Sequence, residues 1–212
     1  MKIFMKMTIR DIFGDIIKQK EPKPEIPING LTYIEDWISD EEHANLISII
    51  DNITWMSALK RRVQHYGYVY DYKNAASFVA SNKNNYIGEL PDFLQELGKR
   101  LVDEKIFLQQ PDQVIVNEYL PGQGIANHID CVPCFGDTVV SLSLGSQCVM
   151  DFKRIGKTEI VYKLLKPKSI VIMKGEARYD WSHGIRKNMS DVIGKDRIER
   201  GRRISITFRN II

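Results

Sequence analysis

Two histidines and an aspartate carry the first hint of chemistry. His128 and Asp130 are separated by one residue. In an extended strand, side chains two positions apart point to the same face, so both can reach one ion. His183 is the only histidine later in the chain and supplies the third donor. Two imidazoles and one carboxylate on one face of an octahedron leave three positions open, an arrangement suited to non-haem iron(II) and oxygen chemistry. Taken alone, His-x-Asp also fits a solvated strand end. The other histidines do not compete: His43 falls within a helical pattern and His65 among basic residues.

A second constellation lies near the C-terminus. In Arg203-Ile204-Ser205-Ile206-Thr207-Phe208-Arg209 polar and apolar residues alternate strictly, so Arg203, Ser205, Thr207 and Arg209 share one face. A half-buried strand with its polar face in solvent gives this pattern. So does a barrel with a polar interior, in which case two guanidinium groups enter the cavity. A buried arginine requires an anion, and its planar fork fits a carboxylate. Two of them match a dicarboxylate such as 2-oxoglutarate. Asn117 and Tyr119 form a third pair on one strand face, able to hydrogen-bond a keto acid, although Tyr119 equally suits core packing.

The elements that must position these groups follow from pattern. Ser39 before Asp40-Glu41-Glu42 reads as a helix N-cap with a capping box to Glu42, and Leu46, Ile47, Ile49 and Ile50 give the helix an apolar face. A second helix is expected from Pro91 to about Glu104. From Gln113 onward the texture changes to short β-rich runs: Val114–Tyr119, Thr138–Leu144, Cys148–Phe152, Glu159–Leu164, Ser169–Met173 and Arg203–Phe208, most of them separated by turn residues. A mainly β domain with flanking helices, a sandwich or barrel, is the expectation. Pro22, Pro24 and Pro27 make residues 1–30 an extended arm or linker ahead of a domain over 31–212.

Composition narrows the class. The 212 residues are 43% hydrophobic and 27% charged, ordinary for a folded domain, with a net charge of only +3. That balance permits a nucleic-acid partner without demanding one. The chain lacks an apolar run long enough for a membrane helix and has no secretory signal pattern, so a soluble, intracellular setting, cytoplasm or nucleus, is expected. Three cysteines are too few for a disulfide framework. Cys131 and Cys134 leave metal binding, a disulfide and oxidation-prone thiols open.

Asn117-x-Tyr119, Pro121-Gly122, His128-x-Asp130, His183 and the Arg203 to Arg209 strand, in that order, resemble the AlkB family of iron(II)- and 2-oxoglutarate-dependent dioxygenases. Within it, the oxygenase domain of the homologue that modifies wobble uridine in tRNA is similar over His65-Tyr66-Gly67-Tyr68, Leu90-Pro91-Asp92, Val140 to Ser146, Val149 to Phe152 and Gly175-Glu176-x-Arg178-Tyr179. The resemblance implies a double-stranded β-helix, a cupin-like jelly roll, with Fe(2+) held by His128, Asp130 and His183. It implies that Arg203, assisted by Tyr119, grips the distal carboxylate of 2-oxoglutarate, with Asn117 and Arg209 completing the pocket. Ser205 stands where the family usually has asparagine.

The implied reaction couples dioxygen and 2-oxoglutarate to oxidation of a C–H bond on a modified base in DNA or RNA. An N-methyl group would leave as formaldehyde, which is oxidative dealkylation of the kind used in alkylation repair. A stable carbon would keep the hydroxyl, as in hydroxylation of a modified wobble uridine in tRNA. A protein demethylase and an inactive binding module are the remaining readings. A base must leave its stack to reach the metal. Arg61, Tyr66 and Tyr68, in a stretch rich in cations and tyrosines that coincides with the family's nucleotide-recognition lid, are the expected substrate contacts. The same stretch also fits a β-hairpin packed on a helix. Trp181, two residues before His183, either shapes the pocket or packs in the core.

Overall fold

The N-cap signal at Ser39 is realised in full. In the computed structural model, which describes residues 26–57, 61–69 and 85–212, Ser39 Oγ accepts from Glu42 N at 3.1 Å while Glu42 Oε2 accepts from Ser39 N at 2.7 Å. This box opens helix α1, Asp40–Asp51, and Asp40, Glu41 and Glu42 place negative charge at its positive end. Helix α2, Asp92–Asp103, starts one residue later than the pattern suggested, with Pro91 in extended conformation at the N-cap. Replacing Ser39 with alanine is expected to cost about 1 kcal/mol. Urea unfolding checks this, and an unchanged midpoint would show the box to be ornamental.

Strands β1 (Leu31–Ile34), β2 (Val63–Tyr66), β3 (Gln113–Tyr119) and β4 (Ile125–His128) are followed by β5 (Val139–Gly145), β6 (Cys148–Arg154), β7 (Ile160–Leu165) and β8 (Ile170–Met173). A short helix α3, Gly175–Tyr179, leads into β9 (Trp181–Ile185). A hairpin of β10 (Ser190–Ile193) and β11 (Asp196–Glu199) precedes β12 (Arg203–Arg209). They form a six-stranded sheet of order β1-β8-β5-β12-β3-β2 facing a four-stranded sheet of order β4-β9-β6-β7, all antiparallel. This is the expected mainly β jelly roll with flanking helices. The six runs read as strands from Gln113 onward are all strands, within a residue or two at each end. β1, β9 and the β10–β11 hairpin carried too few alternating apolar positions to be read, β2 was expected only as the alternative hairpin of the cation- and tyrosine-rich stretch, and β4 only through His128-x-Asp130.

The six-stranded sheet is covered on both faces. Val114 and Val116 of β3, Leu142 and Leu144 of β5, and Ile204, Ile206 and Phe208 of β12 pack under Leu46 and Ile50 of α1 and Leu94, Leu97 and Leu101 of α2. Each such side chain contributes on the order of 1.5–3 kcal/mol by leaving water. The alternate positions point between the sheets, where Val139, Val171 and Met173 meet Cys148, Met150, Phe152 and Trp181 of the smaller sheet. Trp181 is a core residue, 1% exposed. Most of the expected N-terminal arm lies outside the described residues, and Ile28, near its end, is buried in the inner cluster. No helix among the described residues is long and apolar enough to cross a membrane.

Burial also sets a pH dependence. Burial first, then the charges of Arg209 and Arg61, hold the His65 imidazole down at about 4, against its ordinary 6.5. The unfolded chain therefore takes up the proton first. His65 leaves stability whole above about pH 6.5 and subtracts from it as the pH falls towards about 4. His65→Phe is expected to flatten this acid limb, measured as the difference in urea midpoint between pH 7 and pH 5. Parallel limbs in the two proteins would count against the assignment.

Candidate metal and cosubstrate site

β4 and β9 bring the two histidines together. His128 and His183 are direct partners in the ladder, with ring centroids 4.5 Å apart. The two strands can approach this closely because of glycines. A β-carbon at Gly184 would lie 2.8 Å from Asn127 N, and one at Gly124 would lie 2.2 Å from Ile185 O. His128 is oriented by its Nδ1, 2.9 Å from Ala126 O, as a partner outside the metal site typically fixes a ligand ring. Burial pushes the His183 imidazole down to about 4, leaving it neutral with a lone pair to donate.

Asp130 departs from the strand picture. β4 ends at His128, so the shared-face argument for His-x-Asp does not place the carboxylate; the turn beyond the strand does. Arg209 donates to Asp130 Oδ1 from Nε at 2.8 Å and from Nη2 at 2.5 Å. Burial opposes ionisation of this carboxyl, but Arg209 and then the neighbouring imidazoles hold it below the usual carboxylate range. Oδ1 is thereby occupied. Oδ2 is buried without a hydrogen-bond partner among the described residues and lies 3.5 Å from His183 Nε2. One donor atom from each of His128, Asp130 and His183 falls within 4.8 Å of the others. A divalent cation satisfies this set, since it supplies the partner that Oδ2 lacks.

The four polar residues of β12 face the interior, which decides between the two readings of their alternation. Arg203 is 2% exposed, and Ser205, Thr207 and Arg209 are buried as well. Arg203 donates from Nη2 to Ser143 Oγ at 2.8 Å and lies 5.6 Å from the Tyr119 ring centre. Its Nε and Nη1 are buried with no hydrogen-bond partner among the described residues. Orphaned guanidinium donors are costly unless an anion receives them, so these donors fit a carboxylate. Arg209 is employed differently: beyond Asp130 it reaches Gln113 Oε1 at 3.1 Å. Ser205 Oγ is 2.7 Å from Ser141 Oγ, inside a line of hydroxyls between the two arginines.

The lid residues separate. Arg61 lines a cavity of about 540 Å³ that opens directly on His128 and Asp130, and Lys187 lines it as well. Arg61 Nε donates to Asn117 Oδ1 at 2.9 Å, and its guanidinium lies 5.8 Å from the Tyr119 ring centre. Arg62 turns the other way, to a bidentate pair with buried Glu118. Tyr66 is not brought to the cavity. It sits edge-on to Phe93 of α2, donates to Gln64 Oε1 at 2.9 Å, and is pushed up to about 12 by burial. Tyr68 packs at 5.2 Å from Tyr86 and against the Cys134–Phe135 cluster. Residues 58–60 and 70–84 of this region lie outside the described residues.

The sequence left two features unsettled. Cys131 and Cys134 are joined in a disulfide, with their Cα atoms 5.2 Å apart. It is a local link in the turn that follows Asp130, not a framework. Arg178 was visible only as part of a motif, and it donates to the main chain of that turn.

Residues 30–209 match the family described as the 2OG-Fe(II) oxygenase superfamily. The chain is 38% identical over 182 residues to the Xenopus tropicalis protein named tRNA (carboxymethyluridine(34)-5-O)-methyltransferase alkbh8; the match covers 84% of this chain and 28% of the relative. It is 34% identical over 211 residues to the Arabidopsis thaliana alkylated DNA repair protein ALKBH8 homolog, covering 88% and 60%. The chain thus spans less than two thirds of either relative. The solved structure of OsALKBH1 superposes with a TM-score of 0.66 at 15% identity, over 87% of this chain and 98% of that one, a likeness of fold. The chain therefore belongs to the 2OG-Fe(II) oxygenase superfamily, as an oxidoreductase of the AlkB kind whose cofactors are iron(II), 2-oxoglutarate and dioxygen.

Proposed function

We propose that residues 31–212 form a dioxygenase unit that oxidises a modified base in DNA or RNA, with His128, Asp130 and His183 as the iron ligands. Bound iron and 2-oxoglutarate supply the oxidising power, and the protein supplies binding and orientation. Arg203 would hold the distal carboxylate of the cosubstrate with its orphaned Nε and Nη1 donors, beside Tyr119. Asn117 lines the cavity at the triad and accepts from Arg61, and Arg209 contributes by keeping Asp130 ionised and by occupying Oδ1. Ser205 belongs to the hydroxyl line between the arginines.

The observation that carries the substrate class is the cavity of about 540 Å³ at the triad, with Arg61 and Lys187 in its lining. An extruded base suits such a space, and the two cations suit the phosphates on either side of it. The relatives support this reading through their names, which refer to tRNA and to alkylated DNA. Oxidative dealkylation is the primary reading. Hydroxylation of a modified wobble uridine is the second, favoured by the likeness to the frog tRNA enzyme.

The test incubates the protein, iron(II) and 2-oxoglutarate with single strands bearing 1-methyladenine or 3-methylcytosine, and separately with tRNA. Formaldehyde in step with succinate is the expected result. Nucleosides that gain one oxygen without formaldehyde would replace dealkylation by hydroxylation. Succinate formation that no nucleic acid stimulates would overturn the nucleic-acid reading.

A further inference from the structure

We infer that Arg178 is a positioning residue for the metal centre, one that presets Asp130 before any ion binds. The need for it arises from the topology. His128 and His183 are fixed to each other by the β4–β9 ladder, whereas Asp130 lies past the end of β4 and has no ladder partner. Something other than sheet hydrogen bonding must fix its backbone.

Arg178 has the geometry to do so. It is 3% exposed and stands on α3, which runs directly into the strand that carries His183. Its Nη1 donates to Asp130 O at 2.8 Å. Nη2 donates to Cys131 O at 3.2 Å and Phe135 O at 3.4 Å, and Nε donates to Gly136 O at 3.3 Å. A buried guanidinium is thus spent on four backbone carbonyls of one turn, with no carboxylate oxygen bonded to it among the described residues. Only a fixed, planar array of donors meets so many acceptors at once. Burial pulls its pKa down, and the nearby Asp130 charge works against that fall.

The rest of the turn is tied from other directions. Gly136 N donates to Asn210 O at 2.9 Å, Ile212 N donates to Cys134 O at 3.2 Å, and the Cys131–Cys134 disulfide closes the turn on itself. Arg209 holds the Asp130 side chain. Arg178 holds the main chain of the same residue, and it links the turn bearing the carboxylate to the element bearing His183. The inference rests on the assignment of His128, Asp130 and His183 as ligands.

The experiment measures Mn(II) affinity, with the Co(II) ligand-field spectrum as a second signature, well below the unfolding temperature of the metal-free protein. Arg178→Gln is expected to weaken Mn(II) by about 10–100-fold and to shift the Co(II) bands, as loss of an outer partner of a ligand does. Arg178→Lys, which keeps the charge but cannot span four carbonyls, should recover part of the loss. Affinity within two-fold of wild type in folded Arg178→Gln would overturn the inference alone. Absence of Mn(II) binding by the wild-type chain would overturn the ligand assignment and this inference with it. Hydrogen exchange of the wild-type protein needs no variant. Protection of the Cys134, Phe135 and Gly136 amides without metal is expected, and protection that appears only on adding Mn(II) would show that the ion, not Arg178, sets the turn.

Discussion

Arg203→Met yields a protein that is more stable without ligands and no longer binds 2-oxoglutarate. Among the described residues Arg203 is a buried cation with one hydrogen bond, to Ser143, and two donor nitrogens without partners. Each unmade bond of a buried polar group costs about 1–3 kcal/mol. Replacement of buried charge by an apolar side chain of similar length is often neutral or stabilising by about 1–4 kcal/mol. A gain of roughly 1–3 kcal/mol in urea unfolding is therefore expected. The wild type should recover more than this on binding at saturating cosubstrate, since ligand at about 1,000 times its dissociation constant stabilises by about 4.1 kcal/mol. With Mn(II) present, addition of 2-oxoglutarate should raise the melting temperature of the wild type and leave Arg203→Met where it was. A variant that is less stable than wild type, or that keeps the 2-oxoglutarate shift, would remove Arg203 from the cosubstrate site.

The second large effect separates the ligands from one another. Asp130→Asn and His183→Gln should each weaken metal binding by more than about 100-fold, beyond what loss of an outer partner costs. Their effects on the metal-free protein should differ. Asp130 is the buried anion that faces Arg209, with Arg178 on its carbonyl oxygen, so removal of its charge leaves buried cations uncompensated. Breaking a buried pair from one side costs about 3–5 kcal/mol. His183 is buried in neutral form, and glutamine in its place disturbs no pair of that kind. Urea unfolding in the presence of a chelator, alongside calorimetric Mn(II) titration, reads both quantities. Equal destabilisation by the two substitutions would mean that the Asp130 charge does not hold the arginines in place. The pair also guards the ligand reading itself, because metal binding that survives either change would point to other donors.

The residue types of the site, and the strands β3 and β12 that carry its polar residues, were legible in the chain, whereas β9, which carries His183, was not. His128, Asp130 and His183 were nominated by chemistry and order, and the structure gathers them. The alternation from Arg203 to Arg209 established that four polar side chains share a face, because strand periodicity is local and needs no knowledge of neighbours. It could not say whether that face meets water or a cavity. Helices α1 and α2 decide it by covering Ile204, Ile206 and Phe208 from outside, which leaves Arg203 and Arg209 buried on the inner face, Arg209 against Asp130 and Phe135.

The same limit explains the rest. Tyr66 and Arg61 look equivalent in a string of cations and aromatics, yet β2 pairing turns Tyr66 onto Phe93 while Arg61, just before the strand, reaches Asn117. Arg209 and Arg203 look like twins, but only Arg203 keeps donors for an anion, because Asp130, 79 positions away in the chain, claims Arg209. Placing Asp130 beyond β4 created the need for Arg178, whose role depends on carbonyls 42 to 48 positions distant. Local sequence fixes which faces a segment has and which chemistry it carries. Which face is buried, and which cation meets which anion, depends on contacts between distant segments that only the packed sheets create.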